Sequence, residues 1–186
     1  VSQSRSARFG SDKTVAVIWD GLMAKKIITK SKLGVNEVVP WLEELGKEYG
    51  IRRSHMIVDE DGVGGGVKDF LTGCKGFVNG SKPLKPYGQD VPNYANLKTQ
   101  CYYEFARLVN EGKIGIEDIS LENKELLIEE LEQVKEKDPD KDNKVQLVGK
   151  DKIKEIIGRS PDIADALMMR MYYEIKKPPI LKPIII

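Results

Sequence analysis

Apolar positions along this chain recur at two different spacings. Thr14-Val15-Ala16-Val17-Ile18-Trp19 is a β-rich run closed by the Asp20-Gly21 turn signal, and Ala24 to Thr29 can return as its hairpin partner. From Val35 to Tyr49 the interval lengthens: Val35, Val38, Val39, Leu42 and Leu45 fall at helical spacing, with Asn36 as a candidate cap and Gly50 as a stop. Pro40 lies within the first turn or two of that helix. Ser54 to Asp59 predicts a short strand with an apolar centre, His55-Met56-Ile57-Val58. A glycine-rich turn then opens a helix over Gly62 to Leu71, and Lys75 to Asn79 predicts another short strand. Gly80 to Asn93 is a long loop rich in Pro, Gly and Lys. Loops longer than about 12 residues in a compact domain are usually functional or mobile.

The second half is mostly helical in pattern. Tyr94 to Glu111 sets Leu97, Cys101, Phe105 and Leu108 on one face, and Lys124 to Glu136 is a second, acidic helix. After a charged turn over Lys137 to Lys144, Val145 to Val148 predicts a strand and Lys150 to Ile157 a short helix. Ser160 to Lys176 predicts the last helix, with Ala164, Leu167, Met168, Met171 and Ile175 as its apolar stripe. A hairpin followed by βα units and then helices implies an α/β fold, a mixed sheet with helices on its faces.

Composition narrows the function classes. The chain has 186 residues, a length that suits one domain able to fold without disulfides or metal. Thirty Lys and Arg stand against 29 Asp and Glu, for a net charge of +1, which argues against nucleic-acid binding through a large basic excess. A DNA enzyme remains open, because an acidic metal site offsets basic residues elsewhere. Cys74 and Cys101 lack the paired spacing of a zinc site and read as reduced thiols. One histidine, His55, leaves little for a His-based metal centre or a serine-type triad. No apolar run approaches the ~20 residues of a membrane span, and Val1 to Arg5 lacks the apolar stretch of a signal peptide. Residues 1–178 read as the domain, and 179–186 as a proline-interrupted, apolar tail.

The candidate chemistry lies in carboxylates at the ends of elements. Asp59 closes a predicted strand, the end where α/β sheets place ligand and metal sites. The glycine-rich turn after it is not a dinucleotide fingerprint, since Val67 stands where the third glycine is needed, and no phosphate-loop lysine occurs. Ser160 is a candidate N-cap, Pro161 fits the first helical position, and Asp162 in the first turn favours the helix dipole. Asp165 lies one turn further in, beside the apolar stripe, on an adjoining part of the same face. Were they to face Asp59, the two carboxylates would form a hard-oxygen cluster suited to Mg²⁺ or Mn²⁺. Asp12 precedes the first clear strand, as a further acidic candidate or a solvated turn residue.

Four stretches carry a resemblance: Ala7-Arg8-Phe9-Gly10-Ser11-Asp12-Lys13-Thr14, Val58-Asp59-Glu60-Asp61-Gly62-Val63-Gly64-Gly65-Gly66-Val67-Lys68-Asp69, Tyr94-Ala95-Asn96-Leu97-Lys98, and Gly158-Arg159-Ser160-Pro161-Asp162-Ile163-Ala164-Asp165-Ala166-Leu167. In order and spacing the chain resembles the C-terminal nuclease domain of the terminase large subunit of tailed bacteriophages. The resemblance implies an RNase H-like mixed β-sheet flanked by helices on both faces. It implies a two-metal endonuclease that cuts concatemeric viral DNA during genome packaging, with Asp59, Asp165 and Asp162 as catalytic and metal-binding residues and Asp12 as a secondary acid. Arg8, Lys13, Lys98 and Arg159 are candidates for phosphate contact, or solvated charges. The implied partners are double-stranded DNA and, in a longer parent protein, an N-terminal ATPase domain, the portal and the small terminase subunit, in the host cytoplasm. The chain departs from the family pattern at one place: a first-strand aspartate is expected three residues before Arg8, and Arg5 stands there. That departure weakens one metal site. The competing reading is a non-catalytic DNA-binding or assembly module on the same scaffold.

Overall fold

Alternating residues make the first two elements a hairpin. Lys13–Asp20 (β1) and Met23–Ser31 (β2) pair antiparallel, in a computed structural model that describes residues 12–61, 64–86, 88, 90–138 and 143–176. Gly21 takes φ +58° in the connecting turn, a left-handed conformation that glycine adopts without strain. Ala16 and Ile18 point to one face of β1, and Val15, Val17 and Trp19 pack on the other.

Val35–Glu48 (α1) covers the first face, where Trp41 and Leu45 meet Ala16. Its N-cap is Gly34, not the expected Asn36; the Glu37 side chain accepts from the Gly34 amide and closes that end. The next strand, Ile57–Asp59 (β3), is shorter than the sequence suggests, because residues 53–55 wind into a 3₁₀ turn. Gly64–Phe70 (α2) crosses over to Lys75–Phe77 (β4), which lies parallel to β3. Val58, Val67, Leu71 and Cys74 join Val38 in a small core on the α1 side.

The larger core lies on the opposite face. Leu97–Asn110 (α3) is capped by Asn96, whose side chain accepts from the Thr99 amide. Leu121–Gln133 (α4) starts at Ser120 in the same way. Between them Gly115–Ile116 (β5), a strand too short to be marked by pattern, pairs parallel with β2. Lys150–Ile157 (α5) forms where expected and stops at Gly158. Cys101, Phe105, Leu127, Ile163, Leu167 and Met168 pack this layer together. Helices therefore flank the sheet on both faces, as the pattern implies.

Three further expectations are corrected. Val145–Val148 forms no strand: it makes only isolated bridges, Tyr94 with Val145 and Glu136 with Leu147. The last helix is two, Asp162–Met169 (α6) and Met171–Lys176 (α7), because the backbone tightens at Arg170, whose amide bonds to the Leu167 carbonyl. The N-cap of α6 is Pro161, not Ser160. The sheet also divides. The order β1-β2-β5 makes one part and β3-β4 the other, so among the described residues the outer edges of β1 and β3 carry no strand partner. Residues 1–11 and 177–186, including Arg5, Arg8 and the apolar tail, lie outside the described residues.

Candidate metal and DNA site

The end of β3, the start of β1 and the first turn of α6 meet at one mouth of a cavity of about 810 Å³. Asp59, Asp162, Asp165, Asp12, Asp61 and Lys150 line that mouth. Asp59 is held by short-range turn chemistry: its Oδ1 accepts from the Asp61 amide at 3.0 Å and from Asn79 Nδ2 at 3.1 Å. Asn79 also donates to Asp61, so the loop after β4 ties down both acids. Asp162 accepts from the Lys13 amide at 2.7 Å, which fixes the start of β1 against α6. Asp165, 8% exposed, accepts from the Tyr102 hydroxyl at 2.6 Å and from Lys98 Nζ at 2.8 Å.

These acids act on one another. Burial raises the Asp59 carboxyl above its ordinary value, and the charges of Asp61 and Asp165 raise it further, against the Asp61 amide and Lys150. Burial likewise raises Asp162, helped by Asp12 and Asp165 and opposed by the Lys13 amide and Lys150. Asp12 goes the other way. Its hydrogen bond from Lys154 lowers it, and the Ser160 amide adds to that.

Of the basic candidates, Lys98 reaches the site through its pairing with Asp165, and the Lys13 side chain pairs with Glu122 at 2.9 Å. Arg159 is corrected as a phosphate contact. It is 4% exposed, pairs with Glu129 and Glu130, and donates to the Leu126 carbonyl. The partner Glu130 was hidden in the sequence. It sits on α4, is 2% exposed, and its Oε2 accepts from the Ile163 and Ala164 amides at 2.9 and 2.8 Å. It thereby caps α6, which Pro161 has no side-chain acceptor to do. Lys150 and Tyr102 are further residues that pattern alone did not mark. An isolated lysine after Gly149 and a tyrosine on a helix face carry no distinguishing signal.

No family model matches the chain. No curated protein matches it either. Solved structures do. The nuclease domain of the large terminase subunit of bacterial virus Sf6 is 27% identical at a TM-score of 0.70, over 87% of this chain and 83% of that one. The chain has the fold of a terminase nuclease domain. Variants of the same Sf6 domain, solved with manganese and beta-thujaplicinol or with calcium, are 25% and 26% identical at the same TM-score and coverage. The RNase H-like fold is thus as expected, and the likeness supports a nuclease role. No helix among the described residues is long and apolar enough to cross a membrane.

The donor set of this terminase-type fold suits a hard divalent cation: carboxylate oxygens, two of them on groups whose charge is disfavoured by burial and by each other. Among the described residues, however, no three such side chains converge tightly enough to hold an ion. Lys98 occupies both oxygens of Asp165, and Lys150 approaches Asp162 at 3.8 Å. These two ammonium groups supply part of the countercharge. A cation binding there would compete with Lys98 for the Asp165 oxygens.

The raised carboxyls set a pH dependence. A group whose folded pKa lies above its unfolded value stabilises the fold at low pH and loses that contribution as pH rises through the folded value. Asp59 and Asp162 are raised, and burial pushes Glu130 up to about 7 against Arg159 and the two amides. Asp12 has the opposite sign, but its contribution is lost only below the ordinary carboxylate range. Thermal stability in chelator is therefore expected to fall between about pH 5 and about pH 7. Melting curves check this: Asp162→Asn should flatten the slope, and a rising profile contradicts the assignment.

Proposed function

We propose that the chain is the endonuclease domain of a viral DNA-packaging terminase, a divalent-metal-dependent enzyme that cuts concatemeric viral DNA. The meeting of Asp59, Asp162 and Asp165 at one cavity mouth, in a fold shared with a terminase nuclease domain, carries this reading. Asp59 and Asp165 are the residues to hold Mg²⁺ or Mn²⁺, with Asp162 assisting. Ions held there would supply the chemistry of an activated water and of charge neutralisation at the leaving oxygen.

The chain's own residues do the rest. The Asn79 side chain and the Asp61 amide keep Asp59 from turning away. The Tyr102 hydroxyl orients Asp165, and its phenol stays protonated because burial and the Asp165 charge hold its pKa well above the usual value. Lys98 also lines the smaller cavity of about 210 Å³ beside Asp59 and Asn79. Once freed from Asp165, its ammonium is placed to meet a phosphate oxygen. Contacts of that kind are largely independent of sequence. Double-stranded DNA is the substrate on this reading. The partners are an ATPase domain, the portal and the small terminase subunit, in the host cytoplasm.

Incubation of supercoiled plasmid with the chain and Mn²⁺ tests the proposal. Nicked and linear products are expected, and DNA binding should weaken steeply with salt. One observation favours the non-catalytic alternative, the grip of Lys98 on both Asp165 oxygens. Binding without cutting at any Mn²⁺ concentration would favour that module and overturn the enzyme.

A further inference from the structure

The Glu130 carboxylate is buried, yet it stands outside the acidic mouth. Helical spacing puts it with Asn123 and Leu127 on the inner face of α4, which packs against α6. A charge buried there is tolerated only when it is paired and hydrogen-bonded. Both of its oxygens are used. Oε1 pairs with the Arg159 guanidinium, and Oε2 accepts from the Ile163 and Ala164 amides at 2.9 and 2.8 Å. Arg159 sends its other branch to Glu129 at 2.6 Å and to the Leu126 carbonyl at 3.2 Å. One carboxylate and one guanidinium thus fasten the turn before α6, and the first turn of α6, to α4.

The two amides belong to the peptide units between Asp162 and Asp165. A peptide unit is planar, so a bond to its N–H fixes the plane and the backbone on either side of it. Pro161, the N-cap, adds no side-chain hydrogen bond, so the side-chain acceptor at this helix end comes from Glu130. The aspartates themselves reach other elements: Asp162 accepts from the Lys13 amide, and Asp165 from the Tyr102 hydroxyl. A metal site needs its carboxylates held within about 0.5 Å of the productive geometry. The backbone between two of its acids is the place where one small displacement moves both.

We propose that Glu130 is a positioning residue for the metal site. From α4 it holds the peptide planes between Asp162 and Asp165, and so sets where these two carboxylates stand relative to Asp59 on β3. This role rests on the endonuclease reading above. The acceptor oxygen at the two amides serves the site, and the pairing with Arg159 serves stability. Variants take the two apart. Glu130→Leu with Arg159→Met removes the ion pair and the acceptor together, recovers the ion-pair share of stability and leaves the helix end open. Glu130→Gln loses the charge but keeps an oxygen within reach of the amides. Glu130→Asp keeps the charge but is one methylene too short to reach Arg159 and both amides at once. Metal binding should therefore follow the acceptor and not the melting temperature.

Two measurements on the full chain test this, at a temperature where circular dichroism shows each variant folded. One is Mn²⁺ binding by electron paramagnetic resonance, and the other is kcat and KM for cutting supercoiled plasmid. In the double variant, Mn²⁺ affinity and kcat should both fall by about 10–100-fold, the usual cost of removing a residue that orients a metal ligand. KM for DNA should not change, because Glu130 and Arg159 are both buried away from any DNA surface. Glu130→Gln should stay close to the parent. Glu130→Asp should lose as much as the double variant, and it replaces that variant if the latter does not fold. A folded double or Asp variant that binds Mn²⁺ and cuts like the parent overturns the proposal and leaves Glu130 a structural brace. So does a Gln variant as impaired as the double one. If the parent binds Mn²⁺ without cutting, the titration alone decides. A parent that neither binds Mn²⁺ nor cuts overturns the nuclease reading and this role with it, whereas a parent that does both, matched by its variants, overturns this role alone.

Discussion

Replacing Glu130 with alanine is expected to destabilise the fold by about 3–5 kcal/mol, the range found when one partner of a buried ion pair is removed. The Arg159 guanidinium stays behind, 4% exposed, with only Glu129, itself half-exposed, and backbone carbonyls for company. The same change strips the Ile163 and Ala164 amides of their acceptor, at a helix end whose N-cap has no side-chain hydrogen bond. Against a total of about 5–15 kcal/mol for a domain, this is a large fraction, and it corresponds to a fall of about 6–20 °C in melting temperature. Glu130→Gln should lose less, because it keeps an oxygen for the amides. A double change, Glu130→Leu with Arg159→Met, separates the two parts. It should recover the ion-pair share, since apolar replacement of a buried pair is often neutral, and leave the capping share lost. An alanine variant that melts within a degree or two of the parent contradicts this account.

The second large effect concerns the acids themselves. Asp165→Asn and Asp59→Asn should each lower Mn²⁺-dependent plasmid cutting by about a thousandfold, since a metal supplies several kcal/mol of transition-state stabilisation. Free-ion Mn²⁺ titrations should show weaker binding, a readout that does not depend on turnover. The fold should survive. In Asp165→Asn the side-chain amide still offers Tyr102 an oxygen, and Lys98, released, has 18% of its side chain already in solvent. Asp165→Asn should also lower the Asp59 and Asp162 carboxyls by removing a neighbouring charge. Unchanged cutting and unchanged Mn²⁺ affinity in either variant would sink the assignment.

What the sequence shows and what it hides follow from the range of the interactions. The hairpin, α1 and α5 are legible because strand alternation and helical spacing are local signals, and Gly21 and Gly158 mark where they stop. Asp59, Asp162 and Asp165 are noticeable for the same reason, as carboxylates at element ends. Val145–Val148 reads as a strand but has no full-length neighbour to pair with, and pairing is not written in the segment itself. Glu130 reads as one more acid on an acidic helix. Its burial comes from Arg159 and α6, about thirty residues away, and only the packed structure brings them together. Arg159 misleads in the mirror sense: a basic residue beside the acids looks available to phosphate, and the fold spends it on the cap instead.

The two cysteines have a practical consequence. Cys74 lies in the small core under α1 and α2, and Cys101 in the large core on the other face of the sheet. Burial raises both thiols, Cys101 to about 12, so neither is reactive while its layer stays closed. Each is thus a built-in clock for its own half of the molecule. The ratio of their labelling rates reports whether the two sides of the divided sheet open together or one at a time.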